Sequence, residues 1–300
     1  MTEKKNAYEI VAQSIIDQLA QGVAPWRKEW LALGYQPTSL SSRKTYKGVN
    51  FMLLSFQAMA KGYNSPWWGT YKQISEIGGS VRKGEKGTPI VLWKRFETSD
   101  STTDKPRYAA IMRYFTVFSA EQADWEDGKA PKWEKAEQRS EVEIVAEAQA
   151  VMDTYFAREG APLLMFGGNR AYYSPSGDRI NLPEQASFYN DGAFYSTAFH
   201  EMGHSTGHKS RLKREGVVEN HYFGSELYSE EELVAEFTAA FLSAETGVLP
   251  HTLENSAAYI KSWHSRLQDD PKMLVKAIGR AQKATDFILG KQAEGEAGEE

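Results

Sequence analysis

His200-Glu201-Met202-Gly203-His204 spells H-E-x-x-H, a rare pattern in a chain with only six histidines. On a helix, residues four apart stand one turn apart on the same face, so both imidazoles reach a single metal ion. Glu201 then sits beside the ion rather than on it. There it is placed as the catalytic base that takes a proton from a metal-bound water, which Zn²⁺ acidifies to a pKa of about 7. These residues are the smallest kit for hydrolysing an amide. Two histidines leave the ion short of a third protein ligand. His208 lies a further turn on, but Gly207 is expected to end the helix before it, and the spacing departs from the pattern H-E-x-x-H-x-x-G-x-x-H.

The elements around the motif suit a buried site. The run Ala193 to Phe199 is apolar enough to bury one helix face, and Gly203 lets a neighbouring backbone come close. A second apolar helix, Glu230 to Leu242, carries Glu232 and Glu236 on one face and Leu233, Phe237 and Phe241 on another. Glu232-Leu233-Val234-Ala235-Glu236 resembles the E-x-x-A-[DE] arrangement of gluzincins. That resemblance implies Glu232 as the third ligand and Glu236 as an acid that orients a histidine from behind. The chain has no cysteine, so any ion must be held by histidine and carboxylate. Zn²⁺ is the expected cofactor, with another divalent metal as the alternative. Upstream, Val142 to Tyr155 reads as a helix, Leu163 to Phe166 as a strand, and Ala171 to Pro183 as a hairpin turning at Pro175 to Asp178. Two closing helices follow at Ala257 to Leu267 and Lys272 to Leu289.

Three hundred residues suit two domains, and 41% hydrophobic with 25% charged residues is the composition of a globular protein. The N-terminus lacks the apolar core of a signal peptide, and no apolar run approaches a membrane span, so the expected location is cytoplasmic with no membrane partner. The net charge of −5 conceals two opposite halves: residues 1–125 hold 17 Lys+Arg against 11 Asp+Glu, and the rest 18 against 29. Within residues 26–95 the balance is 12 basic to 3 acidic, a field that attracts a polyanion.

In that basic half, Ala7 to Leu19 shows helical spacing. A helix is expected from Phe51 to Ala60, capped by Gly62, and another short one over Ser65 to Ile74. Strands are expected at Pro89 to Phe96 and Ala109 to Phe118, joined by a polar loop at Thr98 to Lys105. Aromatic side chains interleaved with Lys and Arg on loops suit single-stranded nucleic acid, offering flat faces for unstacked bases and cations for phosphates. The competing reading is that Trp26, Trp30, Trp67 and Trp68 fill a core while the lysines solvate a surface.

The set Tyr46-x-Gly48-x-Asn50 with Leu53-Leu54, Trp68-x-Thr70-Tyr71-Lys72-Gln73, and Val81 to Gly87 resembles the N-terminal domain of the ArdC family of antirestriction proteins, which also begins some plasmid DNA primases. The likeness continues through the C-terminal half. It implies single-stranded DNA binding, with candidate contacts at Trp26, Lys28, Arg43, Lys44, Tyr46, Lys47, Asn50, Trp67, Trp68, Tyr71, Lys72, Gln73, Arg82, Lys83 and Lys86.

The resulting expectation is an α+β protein. Residues 1–125 form a mixed α/β single-stranded DNA-binding domain and 126–141 a linker. Residues 142–290 form a zincin-like, gluzincin-type metal domain, and 291–300 a disordered acidic tail. The resemblance implies a plasmid or mobile-element protein that protects incoming single-stranded DNA from host restriction. The rival is an active DNA-tethered zinc metallopeptidase whose further partner is a host DNA-associated protein. A pure binding module, with the metal only holding the fold, is a third class.

Overall fold

The structure, a computed structural model, describes residues 12–13, 15–17, 20, 36–98, 107–133, 141–218, 226–248 and 257–291. It is α+β. The helix expected over 7–19 falls mostly outside these residues, although those described at 12–13, 15–17 and 20 are helical. Trp26, Lys28, most of the Thr98 to Lys105 loop and the tail beyond Lys291 also lie outside them. The described residues fall into two compact units: the first holds 12–13, 36–98 and 107–133, the second 15–17, 20, 141–218, 226–248 and 257–291. No helix among the described residues is long and apolar enough to cross a membrane.

In the first unit, helix α1 (Gly48–Lys61) buries Val49, Phe51, Met52, Leu53, Leu54, Phe56 and Ala58, so apolar residues occupy most of its circumference. It stops at Gly62, whose left-handed φ of 69° lets the amides of Gly62 and Tyr63 reach the carbonyls of Met59 and Ala58. Strand β1 (Thr38–Ser39) runs parallel to β2 (Trp67–Gly69), and β2 antiparallel to the long strand β5 (Arg107–Ser119). β5 in turn pairs with β4 (Thr88–Thr98) from Thr88↔Val117 to Thr98↔Arg107, giving the order β1-β2-β5-β4. A small second sheet joins β3 (Gly79–Val81) to β6 (Ala123–Trp125).

The helix expected over Ser65 to Ile74 is corrected. Trp67–Gly69 is extended, because its pairing with β1 and β5 buries Trp68 completely. Helix α2 begins only at Tyr71 and ends at Glu76, fixed by a reciprocal cap: the Gln73 amide donates to Thr70 Oγ1 (3.2 Å) and the Thr70 amide to Gln73 Oε1 (2.8 Å).

In the second unit, α3 (Glu141–Phe156) precedes a three-stranded sheet of β7 (Leu163–Phe166), β8 (Tyr172–Ser174) and β9 (Arg179–Leu182). The central strand β9 pairs parallel with β7 and antiparallel with β8, forming the expected hairpin. Among the described residues five α-helices follow: α4 (Asp191–Ser205), α5 (Glu215–Val218), α6 (Glu226–Thr246), α7 (Ala257–Asp269) and α8 (Pro271–Leu289). Met152 and Tyr155 of α3, Ile180 and Leu182 of β9, and Phe194, Phe199 and Met202 of α4 share one core with Leu242 of α6. Burying each such large side chain contributes about 1.5–3 kcal/mol.

Candidate metal centre and nucleic-acid surface

Helix α4 starts where Asn190 Oδ1 accepts the Ala193 amide at 2.8 Å, a side-chain cap that sets the phase of the motif helix. Its buried face leaves His200 and His204 facing α6. The two helices approach closely at Gly203, where a Cβ would stand 3.1 Å from both Ala235 Cα and Thr238 Cβ. That approach brings Glu232 to the histidines. His200 Nε2 and His204 Nε2 are 3.1 Å apart. The Glu232 carboxylate lies 3.8 Å from the first nitrogen and 3.6 Å from the second. Ligands about 2.1 Å from one tetrahedral ion are about 3.4 Å from each other, so the three side chains are spaced for a single metal. The His₂Glu donor set suits a divalent cation, and the side chains of His200 and Glu232 retain 22% and 29% of their exposure, so solvent reaches the cluster. Glu201 is buried beside it.

A further acid stands behind His204. Glu231, one position before the candidate ligand, places Oε1 3.3 Å from His204 Nδ1. Arg214 holds Glu231 in turn: Nε donates to Oε2 at 2.8 Å and Nη2 to Oε1 at 2.6 Å. The same guanidinium donates to Thr206 Oγ1 (2.7 Å) and the Gly203 carbonyl (2.8 Å), closing the end of α4. Burial opposes a charge on His204, but the Glu231 hydrogen bond and the charges of Glu232, Glu231 and Glu201 outweigh it and raise its pKa to about 9. Burial also pushes the Glu231 carboxyl up, and Arg214 more than reverses this, leaving it below its usual value. The gluzincin resemblance drew attention to Glu232 and Glu236 and said nothing of Glu231. The partner that identifies Glu231, Arg214, stands on another segment.

A second clamp fixes the end of α4. Arg211 donates from Nε to the Ser205 carbonyl (2.8 Å), from Nη1 to the Gly160 carbonyl (2.8 Å), and through both Nη atoms to Asp178 in the β8–β9 turn. His208 faces Asp178 and Ser210 rather than the metal cluster.

In the first unit, Arg43 adopts a left-handed φ of 59° and lays its guanidinium 4.5 Å over the Trp67 ring. Lys44, Lys47, Lys72, Lys83 and Lys86 are exposed, Tyr46 is half-buried, and Tyr71 keeps 60% of its surface. Other candidates are engaged in the scaffold. Trp68 is core. Asn50 donates to the Val91 carbonyl (2.7 Å) and accepts its amide (2.8 Å), sealing the outer edge of β4. Gln73 caps α2, and Arg82 is committed to Glu85 (2.9 Å) and the Glu121 carbonyl (2.6 Å).

The fold of the second unit and its His200–His204–Glu232 cluster define a zincin-like metallopeptidase domain, and residues 133–280 match the family so described. Residues 5–118 match the N-terminal domain of anti-restriction factor ArdC. Crystal structures of the antirestriction ArdC protein from plasmid R388 share this fold at a TM-score of 0.73. The metal-free form is 32% identical, covering 96% of this chain and 98% of that one, and the Mn(II)-bound form 34% identical, covering 97% and 100%. Among curated proteins, DNA primase TraC of Escherichia coli is 39% identical over 96% of this chain. An uncharacterized protein, y4eC, of Sinorhizobium fredii is 31% identical over 97% of this chain and 94% of its own length. The chain spans only 20% and 27% of the two TraC primases it matches. The chain belongs to the ArdC antirestriction family.

Proposed function

We propose that the protein protects DNA entering a recipient cell on a plasmid or other mobile element, acting in the cytoplasm. It binds the DNA as a single strand through the first unit and holds Zn²⁺, or another divalent metal, at His200, His204 and Glu232. The observation that carries this reading is the Arg43–Trp67 stack, an exposed cation laid on a half-buried flat ring, within a basic unit. Phosphate is drawn to the exposed lysines, and a base can take a place on the aromatic surface. Fluorescence anisotropy with single- and double-stranded oligonucleotides at two salt concentrations tests it. Salt-sensitive preference for the single strand is expected. Equal or absent binding of the two forms refutes the reading.

The buried Glu201 and the three-donor cluster favour a second reading, a zinc peptidase tethered to DNA that cleaves a host DNA-associated protein. A bound divalent ion supplies a Lewis acid and an acidified water. Glu201 would accept the proton of that water on its carboxylate, while Glu231 holds His204 by Nδ1. Tethering raises the local concentration of any protein on the same DNA. Glu201→Gln separates the readings: protection that survives in a variant still holding its metal excludes proteolysis as the mechanism.

A further inference from the structure

The register of the first sheet continues unbroken from β2 through β5 to β4: Trp68 faces Ser119, Gly69 faces Phe118, and Val117 begins the ladder to Thr88. Side chains alternate along a strand, so Trp67, Phe118, Thr116 and Tyr114 share one face and Trp68, Phe115 and Arg113 the other. The first face is that of α2, whose Ile74 packs with Trp67 and Phe118. The second is that of Tyr63, whose ring meets Trp68 edge-on at 6.1 Å.

The two edges of the β4–β5 ribbon differ. Asn50 of α1 occupies the β4 edge at Val91, and Ile90 and Val91 are buried. On the β5 side, no strand among the described residues pairs with the stretch before Phe118, and Arg113 to Thr116 are all exposed. Tyr114 keeps 47% of its surface although its cross-strand partner Val91 keeps only 3%, so it stands on a paired strand yet is open to solvent. The described part of this unit, residues 36–98 and 107–133, holds 14 Lys+Arg against 7 Asp+Glu. Two of those acids are committed internally: Glu85 to Arg82 and Gln122, and Glu121 to the amides of Asn64 and Ser65. The Lys83–Lys86 turn enters β4 against this same face. Gly87 has no room for a Cβ, which would overlap Thr116 Cγ2.

We infer that Tyr114 is a second base-stacking platform for single-stranded DNA, on the same sheet face as the Trp67–Arg43 stack. By this register Trp67 lies opposite Ala120, six residues along from Tyr114, about 20 Å. A strand must therefore span several nucleotides to meet both platforms. The negative charge of the occupant follows from the basic surroundings, and its single-strandedness from the need for an unstacked base to cover the ring. This inference rests on the single-stranded DNA reading above and adds a residue, a face and a length dependence to it.

The test measures affinities of the full chain and its variants for oligonucleotides of about 4 and about 15 nucleotides, lengths within the range of known single-strand sites. Tyr114→Thr keeps a strand-favouring residue, and Tyr114→Phe keeps the ring. Phe115→Thr makes the same change on the opposite face, and Trp67→Ala removes the first platform. Tyr114→Thr is expected to weaken the longer oligonucleotide about 10-fold and the shorter one little, with Tyr114→Phe restoring wild-type affinity. Phe115→Thr is expected to leave both unchanged. If Trp67→Ala weakens binding and Tyr114→Thr does not, the DNA reading stands and the Tyr114 platform is wrong. Equal losses from Phe115→Thr and Tyr114→Thr overturn the assignment to one face. Binding lost in Tyr114→Thr only because the chain dimerises through its open edge, seen as a concentration-dependent mass in sedimentation, also overturns it. If the wild type binds neither oligonucleotide, the underlying reading fails and the platform with it.

Discussion

Replacing Glu231 by glutamine tests the support that this acid gives to His204. The amide oxygen can still accept from His204 Nδ1, but the charge that Arg214 neutralises is gone. Arg214 and Glu231 side chains keep only 5% and 7% of their exposure, so the figure for a buried pair applies rather than that for a surface one. Breaking such a pair costs about 3–5 kcal/mol. Against a typical total of about 5–15 kcal/mol, the metal-free variant should melt well below the wild type. Loss of a group that orients a metal-bound histidine weakens the metal by about 10–100-fold. Competition against a chromogenic chelator reads that affinity, and thermal unfolding reads the stability. The double variant Arg214→Met/Glu231→Met removes both charges, so it should recover much of the stability without recovering metal affinity. Equal metal affinity in the wild type and Glu231→Gln would refute the reasoning.

Gly203→Ala should lower both melting temperature and metal affinity. Its Cβ would press on Ala235 Cα at 3.1 Å, and overpacking costs about 1–3 kcal/mol against about 1 kcal/mol gained in helix propensity. The Asp178 clamp predicts a pH effect. Burial pushes its carboxyl up, and hydrogen bonds from Arg211 and Tyr173 with the Arg211 charge pull it below the usual value. A depressed folded value means the stabilisation is complete above about pH 4 and fades as pH falls through that lower value. Urea melts of wild type and Asp178→Asn should therefore differ at pH 7 and converge in strong acid. Single-strand affinity should fall with salt. If about four cations meet phosphates, the slope of log K against log salt is about −3, and a flat slope in anisotropy titrations would contradict the electrostatic reading.

The parts of the fold that were legible were those with a local cause. Periodicity and a capping glycine marked α1, and alternating apolar runs marked β4 and β5 within two residues of their observed ends. Histidines at i, i+4 and an acid on the next apolar helix indicated three side chains that the fold does bring together. What escaped depends on contacts distant in sequence. Trp67-Trp68-Gly69 looks helical beside α2 and becomes a strand only because β1 and β5 flank it. Asn50 and Trp68 carry the right chemistry for DNA, but α1 and the sheet consume it. Glu231 differs from its neighbours Glu230 and Glu232 only through Arg214, 17 residues earlier.

The Arg214 clamp joins the end of α4 to α6 entirely through side chains and carbonyls of the chain itself. Small domains that depend on a structural zinc unravel when the ion leaves, because nothing else gathers their ligands. Here Arg214 fastens the end of α4 to α6 with no ion, so the prediction is that a chelator leaves this junction folded and that metal returned afterwards binds without a refolding phase.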